Sequence, residues 1–200
     1  MYKNYIFDFG DVFINLDKPA PKLALQELGL EDFTDEMSTV NMQYEKGLLI
    51  TDDFIAFYQN QFPLVTRQEL IDAWNSIILD FPIFRLEFIE EFSKNHHCYL
   101  LSNINDLHLE CIKNNLGEIF YNRFVKCFKK VYYTHQIHLR KPDIAIFEYV
   151  FKDAKINPKD SFFIDDTIEN IETAKTFGVT CWHINPLDDD VVLLEEILSV

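Results

Sequence analysis

Five short apolar runs recur along this chain, too brief for buried helices and mostly without the polar alternation of a half-solvated strand. They read "NYIFDF" (Asn4 to Phe9), "HCYLLS" (His97 to Ser102), "VKCFKKVYY" (Val125 to Tyr133), "SFFID" (Ser161 to Asp165) and "VTCWHI" (Val179 to Ile184). Four of the five lack clean alternation, as strands covered on both faces should. Helical patterns separate the later runs: Leu107 to Leu116, Ile144 to Phe151, and Ile168 to Phe177. In the last, Ile168, Ile171 and Ala174 share a face and Gly178 stands as a C-terminal stop. Strand alternating with helix predicts an α/β fold with a parallel sheet and right-handed crossovers.

The stretch from Pro19 to Phe92 lacks a convincing buried strand. Thr66 with Glu69 makes a capping box, and Leu70, Trp74, Ile77 and Ile78 follow on one helical face. Thr51 opens a segment carrying Phe54, Ile55 and Tyr58. The expected organisation is an α/β core over residues 1–16 and 93–200, with residues 17–92 inserted as a helical module. A chain of 200 residues, 48% hydrophobic, can build both.

Thirty-three acids against eighteen bases give a formal charge of -15, which repels nucleic acid and anionic membrane surfaces. Cys98, Cys111, Cys127 and Cys181 follow no metal-ligand or C-x-x-C spacing and read as reduced, largely buried thiols. No basic segment leads into an apolar leader, and no apolar run approaches membrane-spanning length. A cytoplasmic protein without nucleic-acid or membrane partners is expected, as a monomer or weak homodimer.

In open parallel sheets the functional crevice lies beyond the carboxyl ends of the strands. The first run delivers Asp8 there, the second Ser102 and Asn103, the fourth Asp165 and Asp166, and after the third comes "HLRKPD" with Lys141. Each has an ordinary role alone: strand-end solvation for Asp8, a helix cap for Asp166, a turn for Ser102, plain exposure for Lys141. Converging on one face, they suit phosphoryl transfer. Asp8 could attack phosphorus, Asp166 with Asp165 could supply hard oxygens for Mg2+, and Ser102 and Lys141 could bind phosphoryl oxygens.

The motifs "FDFGDV", "LLSN", "RKPD" and "FFIDDTIEN", in that order and each after a strand, resemble those of the haloacid dehalogenase (HAD) superfamily of phosphohydrolases. The resemblance covers Met1 to Phe13 and His97 to about Ile184, and is strongest toward the branch of α-D-glucose-1-phosphate phosphatase and the soluble epoxide hydrolase phosphatase domain. It implies a Rossmann-like parallel core with an inserted α-helical type-one cap. It also implies a Mg2+-dependent phosphatase that hydrolyses a small phosphorylated metabolite, a sugar phosphate by likeness, through an aspartyl-phosphate on Asp8. Asp8, the Gly10 carbonyl and Asp166 would hold the metal, with Asp165 and Asn170 supporting it. Ser102 and Asn103 would bind the phosphoryl group and Lys141 would anchor it.

One position departs from the usual pattern. Gly10 stands where most phosphatases of this superfamily carry a second Asp that shuttles protons, a function usually contributing about a hundredfold to ten-thousandfold. Asp11 is read as a turn residue or a displaced acid/base. In the cap, "NMQYEKGLLITDDF" puts a turn at Gly47, and Tyr44 and Glu45 are expected to help define the leaving-group pocket, with core packing and solvation as their bland alternatives. Two other functions compete: a metal-independent 2-haloacid dehalogenase, which the adjacent acids Asp165 and Asp166 disfavour, and a catalytically idle binding protein.

Overall fold

The computed structural model describes residues 2–30 and 32–199, so positions 1 and 200, the outer ends of the expected core ranges, lie outside the described residues. Its strands are β1 (Asn4–Phe7), β2 (His97–Ser102), β3 (Lys130–Tyr133), β4 (Ser161–Asp165) and β5 (Thr180–His183). All pair in parallel, in the order β3-β2-β1-β4-β5. The chain steps from β1 to one edge and then to the other, so the winding direction reverses beside β1. A crevice opens beyond the strand ends at such a switch point.

Between β1 and β2 lie α1 (Ala20–Glu27), α2 (Asp35–Glu45), α3 (Thr51–Gln61) and α4 (Arg67–Asn75). Leu25, Met37, Tyr44, Phe54, Tyr58 and Leu70 share one apolar cluster, joined from outside by Leu107. The capping box forms: Thr66 Oγ1 accepts from Glu69 N at 3.3 Å and Glu69 Oε2 from Thr66 N at 2.8 Å. Helix α4 stops at Asn75, so Ile77 and Ile78 do not extend its apolar face. They begin a return linker that runs antiparallel to the outgoing one, with Leu16 opposite Ile78. Asp17 N donates to Ile77 O (2.8 Å), Leu79 N to Asn15 O (3.0 Å) and Asn15 N to Asp80 O (2.9 Å).

The next helix, α5 (Ile83–Phe92), was expected within the inserted module, but its packing allies it with the sheet. Leu86, Ile89 and Phe92 join Tyr5 and Phe7 of β1 and Phe162 and Ile164 of β4 in one cluster. Arg85 of the same helix is buried and donates to Phe13 O (3.2 Å), Asn15 Oδ1 (2.8 Å) and Asp190 Oδ2 (2.9 Å). By packing, the module therefore closes at the paired linkers.

Helices α6 (Asp106–Lys126) and α10 (Leu194–Leu198) lie on that same sheet face. After the single turn α7 (Thr134–Ile137), α8 (Ile144–Ala154) and α9 (Ile168–Lys175) cover the other, where Ile6, Tyr99, Leu101 and Phe163 meet Phe147, Val150, Ile171 and Ala174. Alternate residues of β1 thus enter opposite layers, as the pleat requires. The run read as a strand from Val125 begins as helix, because α6 continues to Lys126 and buries Phe124, leaving β3 to start at Lys130. Ile168 is 44% exposed instead of sharing the buried face of Ile171, because it opens α9 at the crevice end of the sheet. Gly178 follows α9 at φ +78°, a left-handed conformation that ends helices and suits glycine. No helix among the described residues is long and apolar enough to cross a membrane.

Candidate active site

Asp8 follows the last residue of β1, and its amide donates to Ile164 O at 2.9 Å, which fixes it beside the end of β4. Phe9 is buried and stacks on Phe124 at 5.0 Å, while its carbonyl accepts from Phe13 N and Ile14 N. That anchor turns the chain sharply and leaves Asp8 facing the crevice. Asp165 ends β4 and Asp166 follows it. One carboxylate oxygen each from Asp8, Asp165 and Asp166 lie within 4.8 Å of one another.

Lys141 enters this acid cluster from the loop after α7 and is 1% exposed. Its Nζ lies 2.7 Å from Asp8 Oδ1 and 2.6 Å from Asp165 Oδ2. Asn103, expected on the phosphoryl group, uses its side chain to hold the lysine backbone: Nδ2 donates to Lys141 O and Oδ1 accepts from Lys141 N, both at 2.9 Å. A side-chain amide matches a peptide in this way, and Asn103 thereby holds the lysine backbone. Ser102 is buried at the end of β2, and its hydroxyl makes no hydrogen bond among the described residues.

Burial pushes the Asp8 carboxyl up to about 7; Lys141 opposes the shift while Asp165 and Asp166 add to it. Lys141 is raised from its ordinary value: burial works against its charge, and Asp165 and Asp8 outweigh burial. Asp165 is buried and saturated with donors. Its Oδ1 accepts from Thr167 N (2.8 Å) and Asn170 Nδ2 (2.9 Å), and its Oδ2 from Asn170 Nδ2 (3.1 Å) and Lys141 Nζ. Asp8 Oδ2, by contrast, accepts no hydrogen bond among the described residues.

Asp11 takes φ +55°. Its Oδ1 accepts from Leu16 N at 3.1 Å and its Oδ2 pairs with Lys18 Nζ at 2.9 Å, so both oxygens serve the turn and the outgoing linker. A Cβ at Gly10 would come within 2.7 Å of Leu16 Cδ1, so this side chain fills the space where another residue at position 10 would begin. Lys18 also reaches Asp166 Oδ2, at 2.5 Å. The sequence reading missed it, since a lone base between Asp17 and Pro19 belongs to no motif or apolar period.

Four acids, Asp8, Asp11, Asp165 and Asp166, thus face two ammonium groups, Lys18 and Lys141. With all four acids ionised the group is two positive charges short of neutrality, and its clustered donors are hard carboxylate oxygens. This chemistry fits Mg2+.

The turn after α2 reaches the loop that carries Lys141. Glu45 Oε2 lies 3.1 Å from Arg140 Nη2, Lys46 Nζ 2.9 Å from Asp143 Oδ2, and His138 Nδ1 donates to Lys46 O at 2.9 Å. Burial raises the Glu45 carboxyl against the pull of Arg140. Gly47 takes φ +64°, and a Cβ there would stand 1.9 Å from His135 O. Tyr44, expected near a leaving-group pocket, lies instead in the apolar cluster of the inserted helices. It is 2% exposed, stacked on Phe54 at 4.0 Å, with its hydroxyl accepting from Leu107 N at 3.1 Å. A cavity of about 810 Å3 near the amino ends of β1 and β4, lined by Tyr2, Tyr5, Phe92 and Lys159, includes none of these site residues.

The family model for haloacid dehalogenase-like hydrolases matches residues 5–184. D-ribitol-5-phosphate phosphatase of Bacteroides thetaiotaomicron is 27% identical over 184 residues, covering 89% of each chain. A HAD family enzyme of the same organism, solved with magnesium and inorganic phosphate, superposes with a TM-score of 0.83 at 29% identity, covering 94% of this chain and 97% of that one. A HAD-like hydrolase structure from Porphyromonas gingivalis gives a TM-score of 0.86 at 23% identity, over 100% and 99% of the two chains, and speaks for the fold alone. With the family model spanning both the sheet and the acid cluster, the chain belongs to the haloacid dehalogenase-like hydrolase family.

Proposed function

We propose that the protein is a Mg2+-dependent phosphatase for a small phosphorylated metabolite, with Asp8 as the nucleophile. The observation that carries this reading is the setting of the Asp8 carboxylate: Oδ1 is held by Lys141 at 2.7 Å, and the group shares the strand end with Asp165 and Asp166, one oxygen of each within 4.8 Å. Asp8 Oδ2 attacks phosphorus and the bond from phosphorus to the leaving oxygen breaks, giving an aspartyl-phosphate. Water then attacks phosphorus, the bond to Asp8 breaks, and inorganic phosphate leaves.

Asp8, Asp166 and the Gly10 carbonyl would hold the metal, and Asp165 with Asn170 would support it from behind, in keeping with the four hydrogen bonds already on Asp165. When bound, Mg2+ screens the repulsion between carboxylate and phosphate and favours ionised Asp8. Lys141 orients Asp8 and meets phosphoryl oxygens, joined by the free Ser102 hydroxyl; Asn103 acts through the Lys141 backbone. Gly10 carries no proton donor and Asp11 is committed to the turn, so the leaving oxygen takes its proton from solvent.

The helices α1 to α4 form the cap over this crevice, and Glu45, paired with Arg140 beside Lys141, borders the leaving group. The related ribitol-phosphate enzyme and the resemblance to sugar-phosphate phosphatases both favour a sugar or polyol phosphate. The test is phosphate release from p-nitrophenyl phosphate, expected only with Mg2+ and lost in Asp8→Asn. A screen of polyol and aldose phosphates should then identify the preferred substrate. Chloride release from 2-haloacids without turnover of any phosphate ester would overturn the proposal.

A further inference from the structure

Resting on the metal-phosphatase reading, we propose that Lys18 sets the charge of the site, weakening cation binding and strengthening anion binding. Lys141 is enclosed and bound to Asp8 and Asp165, so its charge is a constant feature of the sheet end. Lys18 is different: its side chain is 55% exposed and comes from the outgoing linker, yet its ammonium contacts Asp166 Oδ2 at 2.5 Å and Asp11 Oδ2 at 2.9 Å. Those two carboxylates are themselves only 6% and 10% exposed. Hydrogen bonds hold the linker in register here, from Leu16 N to Asp11 Oδ1 and from Asp17 N to Ile77 O.

Asp166 is also a proposed metal ligand, so Lys18 and the metal share one carboxylate. A monovalent cation at that distance repels a divalent one, and partly enclosed charges are screened less than exposed ones. The same charge attracts a phosphate dianion. Removing it should therefore move the two affinities in opposite directions, which neither loss of folding nor loss of packing would do.

The experiment compares the full-length wild type with Lys18→Met and Lys18→Arg by titration calorimetry, using Mn2+ or Mg2+ alone and then inorganic phosphate at saturating metal. Lys18→Met is expected to bind the cation about tenfold more tightly and phosphate about tenfold more weakly, within the usual coupling between adjacent sites. Lys18→Arg, which keeps the charge, should return both toward the wild-type values. Unchanged affinities, or shifts of both in the same direction, overturn the role of Lys18 and leave the metal reading intact. Wild type that binds cations no better than Asp8→Asn combined with Asp166→Asn overturns the metal reading and this proposal with it.

Discussion

The sheet end and the turn after α2 both place charged groups against the loop that carries Lys141, but they hold them by opposite means. At the sheet end, Lys141 and Asp165 are essentially inaccessible, and each is met by oppositely charged or hydrogen-bonding partners at about ideal length. At the cap turn, Glu45 and Lys46 make partly exposed ion pairs with Arg140 and Asp143. Buried charge is costly to uncouple, whereas an exposed pair contributes only about 0–1 kcal/mol. The first arrangement therefore provides a fixed electrostatic site and the second an adjustable contact, which under the proposed function would set which substrates fit.

The strongest way to break this contrast is Lys141→Met. It leaves Asp8 and Asp165 buried without their shared cation, and should cost about 3–5 kcal/mol of stability and abolish turnover. Denaturant unfolding checks the first effect; a loss below about 1 kcal/mol would show that the sheet end is no more rigid than the cap turn.

A second probe lies where cap and core meet at α6. The His108 imidazole is half-buried with Nε2 donating to Trp74 O at 3.0 Å, and its loss of solvation depresses its pKa to about 4. Its folded pKa is below the ordinary 6.5, so the unfolded chain binds the extra proton first. This stability is full above pH 6.5 and is lost as pH falls toward 4, by about 3 kcal/mol. Urea unfolding between these limits should show the slope, and His108→Asn should flatten it.

Gly47→Ala tests the cap turn itself. The new Cβ overlaps His135 O in a left-handed backbone, so the turn must lift from the core, at about 1–3 kcal/mol. Unaltered stability together with unaltered substrate preference would show that the docked turn has no part in recognition. The smallest effect is expected for Glu45→Gln: under about 1 kcal/mol in stability, with KM among phosphate esters changing more than kcat for p-nitrophenyl phosphate. Equal losses on every ester would contradict the assignment of specificity to this turn.

The residues legible in sequence are those whose position follows from strand periodicity. The extents of β2 and β4 match the apolar runs, and the acids ending β1 and β4 were already aimed at one crevice. Where an apolar run crossed an element boundary, as at Val125 to Tyr133, hydrophobicity could not separate the end of α6 from the start of β3. Tyr44 was ambiguous for a related reason: an aromatic ring with a hydroxyl suits a pocket as well as a core, and stacking on Phe54 makes it core.

The sequence by itself determined a parallel α/β sheet, a helical insertion after β1, the residues Asp8, Ser102, Asp165 and Asp166 at strand ends, and Lys141 in the loop that follows the third strand. These depend on period and order, which are local along the chain. Tertiary structure decided the rest: the alliance of α5 with the sheet, the hold of Asn103 on the Lys141 backbone, the saturation of Asp165, and the arrival of Lys18 at Asp166. Each is a contact between segments 38 or more residues apart or a choice among several available partners, and no local pattern encodes which partner a polar side chain will meet.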